Sequence, residues 1–285
     1  MSYKAESIDK PIENSRALGV LKTLTNSKNK IKSIAEKYAI DGEINNARER
    51  GLEERLQVRL QKKQQQEQSN LEQIIKQAYN QCNDETARDP DPDWLVRFIE
   101  MAQQIYTPSM QKLWAKILKQ EIIQPGSVSL RTLKILLSMT HREAALFQKV
   151  LTLTCCIGND KNKKLLTSIK QRTSSFTFRR SHQTHIDYNQ YHLPYSSILI
   201  LTELGLLLST ELETNLISYT DKLNFNYHTE SYSLSPIKKG TSFTYYRLSP
   251  IGQELAQLIG SQTHHEYQDQ LNELLLKYFT VAHQY

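Results

Sequence analysis

Along much of the chain apolar residues recur three and four apart, the spacing of a helix with one buried face. Ile31, Ile34, Ala35 and Tyr38 make a first short stripe, after a tail over residues 1–28. Residues 44–79 contain no proline and a single glycine, Gly51. Leu52, Leu56 and Leu60 lie at one end of this stretch, and Leu71, Ile74, Ile75 and Ala78 at the other. Residues 61–70 between them carry no apolar side chain. The pattern predicts one long polar helix with apolar ends and too few sustained heptads for a coiled coil. Residues 89–154 hold four stronger stripes. Asp91-Pro92 and Thr107-Pro108 each place a cap before a proline at the first helical position. Trp94, Leu95, Phe98, Ile99, Ala102 and Ile105 form the first apolar face, and Met110, Leu113, Trp114, Ile117, Leu118 and Ile122 the second. Pro125-Gly126 breaks the chain before a third helix over 129–138. Thr140 and Glu143 have the spacing of a capping box before a fourth. Four amphipathic helices with short connections predict a helical bundle.

After Cys156 the helical period disappears. Residues 161–186 hold seven Lys or Arg and no Asp or Glu, with Ser and Thr filling the gaps. This stretch is expected to be a basic loop. The last third changes period again. Residues 196–204 predict a helix ending at Gly205. Leu223, Phe225 and Tyr227, then Phe243, Tyr245 and Arg247, sit two apart and predict strands. Residues 236–240, with Lys238 and Lys239, form a turn between them. Ser249-Pro250 opens a further helix, and another begins near His264. The expected fold class is mainly α with a small β part (α+β). The expected division is a partly disordered polar helical arm (1–88), a helical bundle (89–157), a basic loop (158–192) and a C-terminal unit with a terminal helix (193–285).

Composition narrows the chemistry. In 285 residues there are three cysteines and nine glycines, so neither a disulfide framework nor a CxxC metal site is expected. The chain has no GxGxxG and no GxxxxGK[ST] phosphate loop. No stretch is apolar enough to span a bilayer, and the first residues lack a signal peptide's apolar core, so a cytoplasmic protein without membrane contact is expected. The net charge is +6. The basic stretch alone supplies more than that, so the rest of the chain is close to neutral.

The candidate chemistry is therefore electrostatic. Lys161, Lys163, Lys164, Lys170, Arg172, Arg179 and Arg180, joined by Lys238 and Lys239, are the residues expected to contact the phosphates of DNA or RNA. His182, His185 and Asp187 form an H-x-x-H-x-D string that lacks a fourth ligand, so no metal is expected. Asp89, Asp91 and Asp93 are read as helix-capping groups. Glu121 is read as a structural group, pairing with Arg131 or capping the turn after it. Cys155 and Cys156 have no evident histidine partner. No catalytic residue and no cofactor are assigned, and an enzyme is not expected. The apolar stripes at 52–60 and 71–78 of the N-terminal helix are the expected faces for a homo-oligomer.

Two resemblances accompany this reading. L-T-E-L-G-L-L at 201–207 and Y-Y-R-L-S-P-I-G-Q-E-L at 245–255 resemble the two junctions of a winged helix, where a helix ends at a glycine, a hairpin wing follows, and a serine-capped helix closes the unit. The helix over 196–204 carries Ile198, Leu199, Ile200, Leu201 and Leu204 and no Lys or Arg, unlike a base-reading helix. D-P-D-W-L-V-R-F at 91–98, M-Q-K-L-W-A-K-I-L-K-Q-E at 110–121, P-G-S-V-S-L-R-T-L at 125–133 and the 140–147 segment are similar to a bacterial family of unknown function. They are distantly like alpha-type abortive-infection proteins of phage defence. Neither resemblance supplies catalytic residues; with the basic stretch, the expected function is that of a non-enzymatic bacterial cytosolic protein with a nucleic-acid-binding or regulatory role. The alternative is a protein–protein module acting in phage defence.

Overall fold

The computed structural model describes residues 26–44, 51–174 and 179–283, except the side chains of 173, 174, 179 and 180. The expected tail lies mostly outside these residues. The chain divides into two units, residues 1–67 and 68–285.

In the first unit, Asn26 accepts from Asn29 N at 2.8 Å and caps α1 (Ser27–Lys37). The long polar helix is α2 (Leu52–Gln81). Lys62 Nζ donates to the Glu36 carbonyl at 3.4 Å, and Arg55 pairs with Glu43 at 3.5 Å. Leu52, Leu56 and Leu60 are exposed.

The second unit begins with the rest of α2, whose Ile74 and Ala78 are buried. The four bundle helices follow as α3 (Pro92–Ala102), α4 (Pro108–Ile123), α5 (Leu130–Ser138) and α6 (His141–Thr152). Asp91 accepts from Trp94 N at 2.8 Å, with Pro92 at the first position. Thr107 makes no side-chain cap bond among the described residues, so Pro108 alone marks the start of α4. The capping box forms in full: Thr140 N donates to Glu143 Oε2 at 2.7 Å and Glu143 N to Thr140 Oγ1 at 3.2 Å. Trp94 stacks on Phe98 with centroids 5.1 Å apart, and Phe98 tilts onto Trp114 at 5.3 Å. Burying each ring stabilises the fold by roughly 1.5–3 kcal/mol. Glu121 is 1% exposed and caps the following turn, accepting from Gly126 N, Ser127 Oγ and Val128 N.

The described residues of the basic stretch are mostly strand, not the expected loop. They fold as β2 (Asp160–Ser174) and β3 (Arg179–His185), which pair antiparallel from Ser168 with His185 to Ser174 with Arg179. β1 (Thr154–Ile157) precedes them through Gly158-Asn159, a two-residue turn in which Gly158 has φ +69°. That is the first-position conformation of a hairpin turn that matches strand twist. Leu165, Leu166 and Ile169 are fully buried, which is the physical reason the stretch is ordered despite its charge.

A 3-10 turn (Tyr188–Tyr191) and α7 (Tyr195–Glu203) follow. Next come β4 (Leu212–Glu213), β5 (Leu223–Tyr227), β6 (Glu230–Pro236), β7 (Thr241–Arg247), α8 (Pro250–Ile259), α9 (His265–Tyr278) and β8 (Phe279–His283). The strands form one antiparallel sheet in the order β4-β7-β2-β1-β5-β6-β8, with β3 also on β2. The class is therefore mainly α with an antiparallel sheet. The boundaries expected at 157 and 192 fall inside structure that shares this sheet and one apolar core.

The strands flanking residues 237–240 do not pair with each other: β6 lies between β5 and β8, and β7 between β4 and β2. In a flat sheet β6 and β7 would be about 19 Å apart, four strand spacings. The connection spans at most about 17 Å, so the sheet must curl. The rings confirm it. Phe243 on β7 stacks on Phe279 of β8 at 5.1 Å and lies 5.8 Å from Phe225 of β5.

Candidate nucleic-acid interface

β2 is long enough to separate its cations. From Lys164 to Arg172 a strand advances about 26 Å, so the five cations of β2 form two groups.

The first group lies beside β1 and the start of α8. Lys164 is 2% exposed. Its ammonium donates to the carbonyls of Asp160 and Asn162 at 3.2 and 2.8 Å, meets Asp160 Oδ2 at 2.9 Å, and sits over the Tyr245 ring. A cation so buried and saturated holds the hairpin together. Burial alone would raise the Asp160 carboxyl. The Asn162 backbone N–H and the Lys164 ammonium outweigh it and pull the group down to about 2. Lys163 reaches Ser261 Oγ at 3.5 Å, while its backbone N–H donates to Gln253. Lys161 is exposed.

The second group lies at the other end. Lys170 Nζ meets Glu213 Oε2 at 3.2 Å, and Arg172 donates to both oxygens of Glu213 at 2.8 and 3.0 Å. Ser242 Oγ adds a third donor at 2.7 Å. Burial pushes the Glu213 carboxyl up, but these donors outweigh it and hold it low. Glu213 is the anion that the local sequence lacks; it arrives from β4. The Arg172 side chain is still 53% exposed.

Beside Arg172 lies the turn between β6 and β7. Arg172 N donates to the Gly240 carbonyl at 2.8 Å, and Gly240 has φ +83°. A Cβ there would overlap the Arg172 carbonyl oxygen, so only glycine permits this approach. Thr241 Oγ1 closes the turn on the Lys238 carbonyl at 3.0 Å, leaving Lys238 and Lys239 exposed. The structure thus brings Lys238, Lys239 and Arg172 to one end of the sheet. The backbones of Arg179 and Arg180 pair with Ser174 and Thr173 at this same end, and their side chains lie outside the described residues. Lys161, Lys163 and Lys164 are not part of this group.

The other candidates separate. His182 Nδ1 lies 3.0 Å from the Tyr278 hydroxyl, whereas His185 and Asp187 line a cleft elsewhere. Among the described residues no group of three or more His, Cys, Asp or Glu could hold a metal ion. Burial pushes the Cys155 thiol up to about 12, with Cys156 beside it adding to the rise, so it is no nucleophile at neutral pH. On α2, Ile75 and Tyr79 are exposed and border an open apolar groove of about 520 Å³ with Leu71. Among the described residues no helix is long and apolar enough to cross a membrane.

Residues 54–272 match the model of a family described as Protein of unknown function (DUF2806). No curated protein and no solved structure matches the chain.

Proposed function

The chain belongs to the DUF2806 family, and from that premise and its own geometry we propose that it is a non-enzymatic bacterial cytosolic protein that binds nucleic acid with a regulatory role. The contact is made by Arg172, Lys238 and Lys239 at the end of the sheet where Ser174 pairs with Arg179. The observation that carries this reading is the backbone bond between Arg172 and Gly240, which joins two cationic segments far apart in sequence. A backbone-reading site needs such a cluster and no base-reading helix, in keeping with an α7 that has no Lys or Arg. Lys163 and Lys164 serve the fold in this reading, and the exposed Lys161 lies with them at the opposite end of β2. Between α7 and α8 the chain runs through β4, β5, β6 and β7; the pairing of β4 with β7 and the Leu207–Leu248 bridge support a winged-helix-like junction around α7, Gly205 and α8, while β5 and β6 are an insertion that pairs with β1 and β8 instead of forming a wing with β7.

Mobility shift of duplex DNA and of RNA across a salt series tests the proposal. The wild-type chain retards nucleic acid at low salt. The double variant Lys238→Glu, Lys239→Glu binds more weakly, and removing two phosphate contacts shortens the salt slope on duplex DNA by about 1.8. Absence of retardation at low salt refutes the reading.

A second reading is a protein–protein module of the abortive-infection kind in phage defence. The exposed Ile75 and Tyr79 beside the half-buried Leu71, flanked by Gln68, Glu72 and Lys76 on the same helix, favour it, because apolar surface rimmed by polar residues marks interaction sites. Light scattering of the wild type and of Ile75→Glu tests it: a strict monomer in both, with no co-purifying protein, counts against it.

A further inference from the structure

The 3-10 turn, the start of α7 and strand β2 enclose a cleft of about 370 Å³, a size typical of small-molecule sites. None of its lining residues belongs to the cationic tip. Its floor is apolar: Ile186, Tyr188, Leu193 and Ile198 are all buried. Its rim is polar and exposed, made of His185, Asp187, Asn189, Tyr195 and Glu211.

The polar groups are held in place by neighbours. Thr167 Oγ1 donates to Glu211 and fixes that carboxylate. Asp187 Oδ1 accepts from Asn189 N and Nδ2 at 3.0 and 2.9 Å. The hydroxyls of Tyr195 and Tyr246 lie 3.5 Å apart. The hydrogen bond with Tyr195, then burial, then the charges of Tyr195 and Glu211 push the Tyr246 phenol up to about 12, so it stays neutral. In a chain of net charge +6, this lining holds two carboxylates and no Lys or Arg. A phosphate or carboxylate ligand would meet repulsion here. A cation would meet Glu211 and Asp187 at the rim and tyrosine rings in the walls, which attract cations. The floor suits a hydrocarbon body.

We propose that this cleft binds a small primary amine with an aromatic or aliphatic body, its ammonium held by Glu211 and Asp187 and its body on the Ile186, Leu193 and Ile198 floor.

Titration calorimetry of the full chain at neutral pH tests this with tryptamine, which carries the charge, and indole-3-acetate, which presents the same ring with the opposite charge. Tryptamine binds saturably at one site, and indole-3-acetate at least about tenfold more weakly. Glu211→Gln weakens tryptamine about fivefold, as expected for one solvent-facing ion pair. Its melting temperature stays that of the wild type, since Glu211 is exposed. Ile198→Trp, which fills the floor, abolishes binding. No saturation by tryptamine, equal binding of the two indoles, or an unchanged Glu211→Gln overturns the proposal.

Discussion

Three glycines separate the two reasons a position can require glycine, and one of them holds the cationic tip together. Gly126 has φ +80° with open space where a Cβ would stand. Gly252 lies in α8 with ordinary dihedrals, but a Cβ there would overlap the Leu206 carbonyl. Gly240 combines both conditions, with φ +83° and the Arg172 carbonyl in the way. Alanine at 126 pays the left-handed penalty of about 1–2 kcal/mol, partly offset by about 0.4–1 kcal/mol of lost unfolded-state entropy. The net cost is near 1 kcal/mol. At 252 the overlap costs about 1–3 kcal/mol, and alanine's helix preference returns about 1 kcal/mol. At 240 the dihedral and overlap costs add, and the Arg172 N–H bond, worth about 1 kcal/mol, is strained as well. Gly240→Ala is expected to destabilise by about 3–4 kcal/mol.

Urea unfolding of the three variants, compared at unchanged m, reads these values. Gly240→Ala also carries a second expectation: the turn withdraws from Arg172, and nucleic-acid retardation weakens at salt concentrations where Gly126→Ala still binds as wild type. A Gly240→Ala variant within about 0.5 kcal/mol of Gly126→Ala, the usual span of unremarkable surface changes, refutes the reasoning. The backbone contact would then carry no weight in joining the two cationic segments.

Other expectations follow from single groups. Glu121→Gln replaces one acceptor oxygen with a donor facing backbone N–H groups that already donate; it should cost about 2–3 kcal/mol, and a midpoint unchanged in urea would contradict that. Asp160 has its folded value lowered from 3.8 to about 2, so its stabilisation is present above pH 4 and lost as pH falls toward 2. Asp160→Asn should therefore flatten the acid limb of the stability profile in that window, and an unaltered limb would contradict it. Thr140→Ala removes half of the capping box and should cost about 1 kcal/mol by thermal unfolding.

The helices were legible because each carries its own information. The Trp94, Phe98 and Ala102 face and the Thr140–Glu143 box lie within a turn or two of the atoms they serve. The sheet was legible only where a strand is buried on one side, as with Phe225 and Tyr227. The pairing of β2 with β3 was hidden because its partners are remote: Lys170 and Arg172 share one carboxylate, Glu213, 43 and 41 residues away, and Leu165 faces Tyr246 across the ladder. One local signal did exist. Ile157-Gly158-Asn159-Asp160 is a two-residue hairpin turn, and Leu165, Leu166 and Ile169 behind it are a buried strand's residues in a polar setting.

The same remoteness reshapes the electrostatics. Seven cations in 26 residues look like one patch when a chain is read as a loop, because a loop folds back on itself. A strand cannot, so Lys161–Lys164 and Lys170–Arg172 end up too far apart for their fields to reinforce, well beyond the screening length of about 8–10 Å at ordinary salt. What charge the tip loses to that separation, and to Glu213, is restored by Lys238 and Lys239, which the curl of the sheet delivers to Arg172 and which the sequence places 66 and 67 residues away. The strength of any polyanion contact therefore depends on the curvature of the sheet more than on the basic run itself. For that reason a glycine with no charge, Gly240, is the sharper test of the site than any one of its lysines.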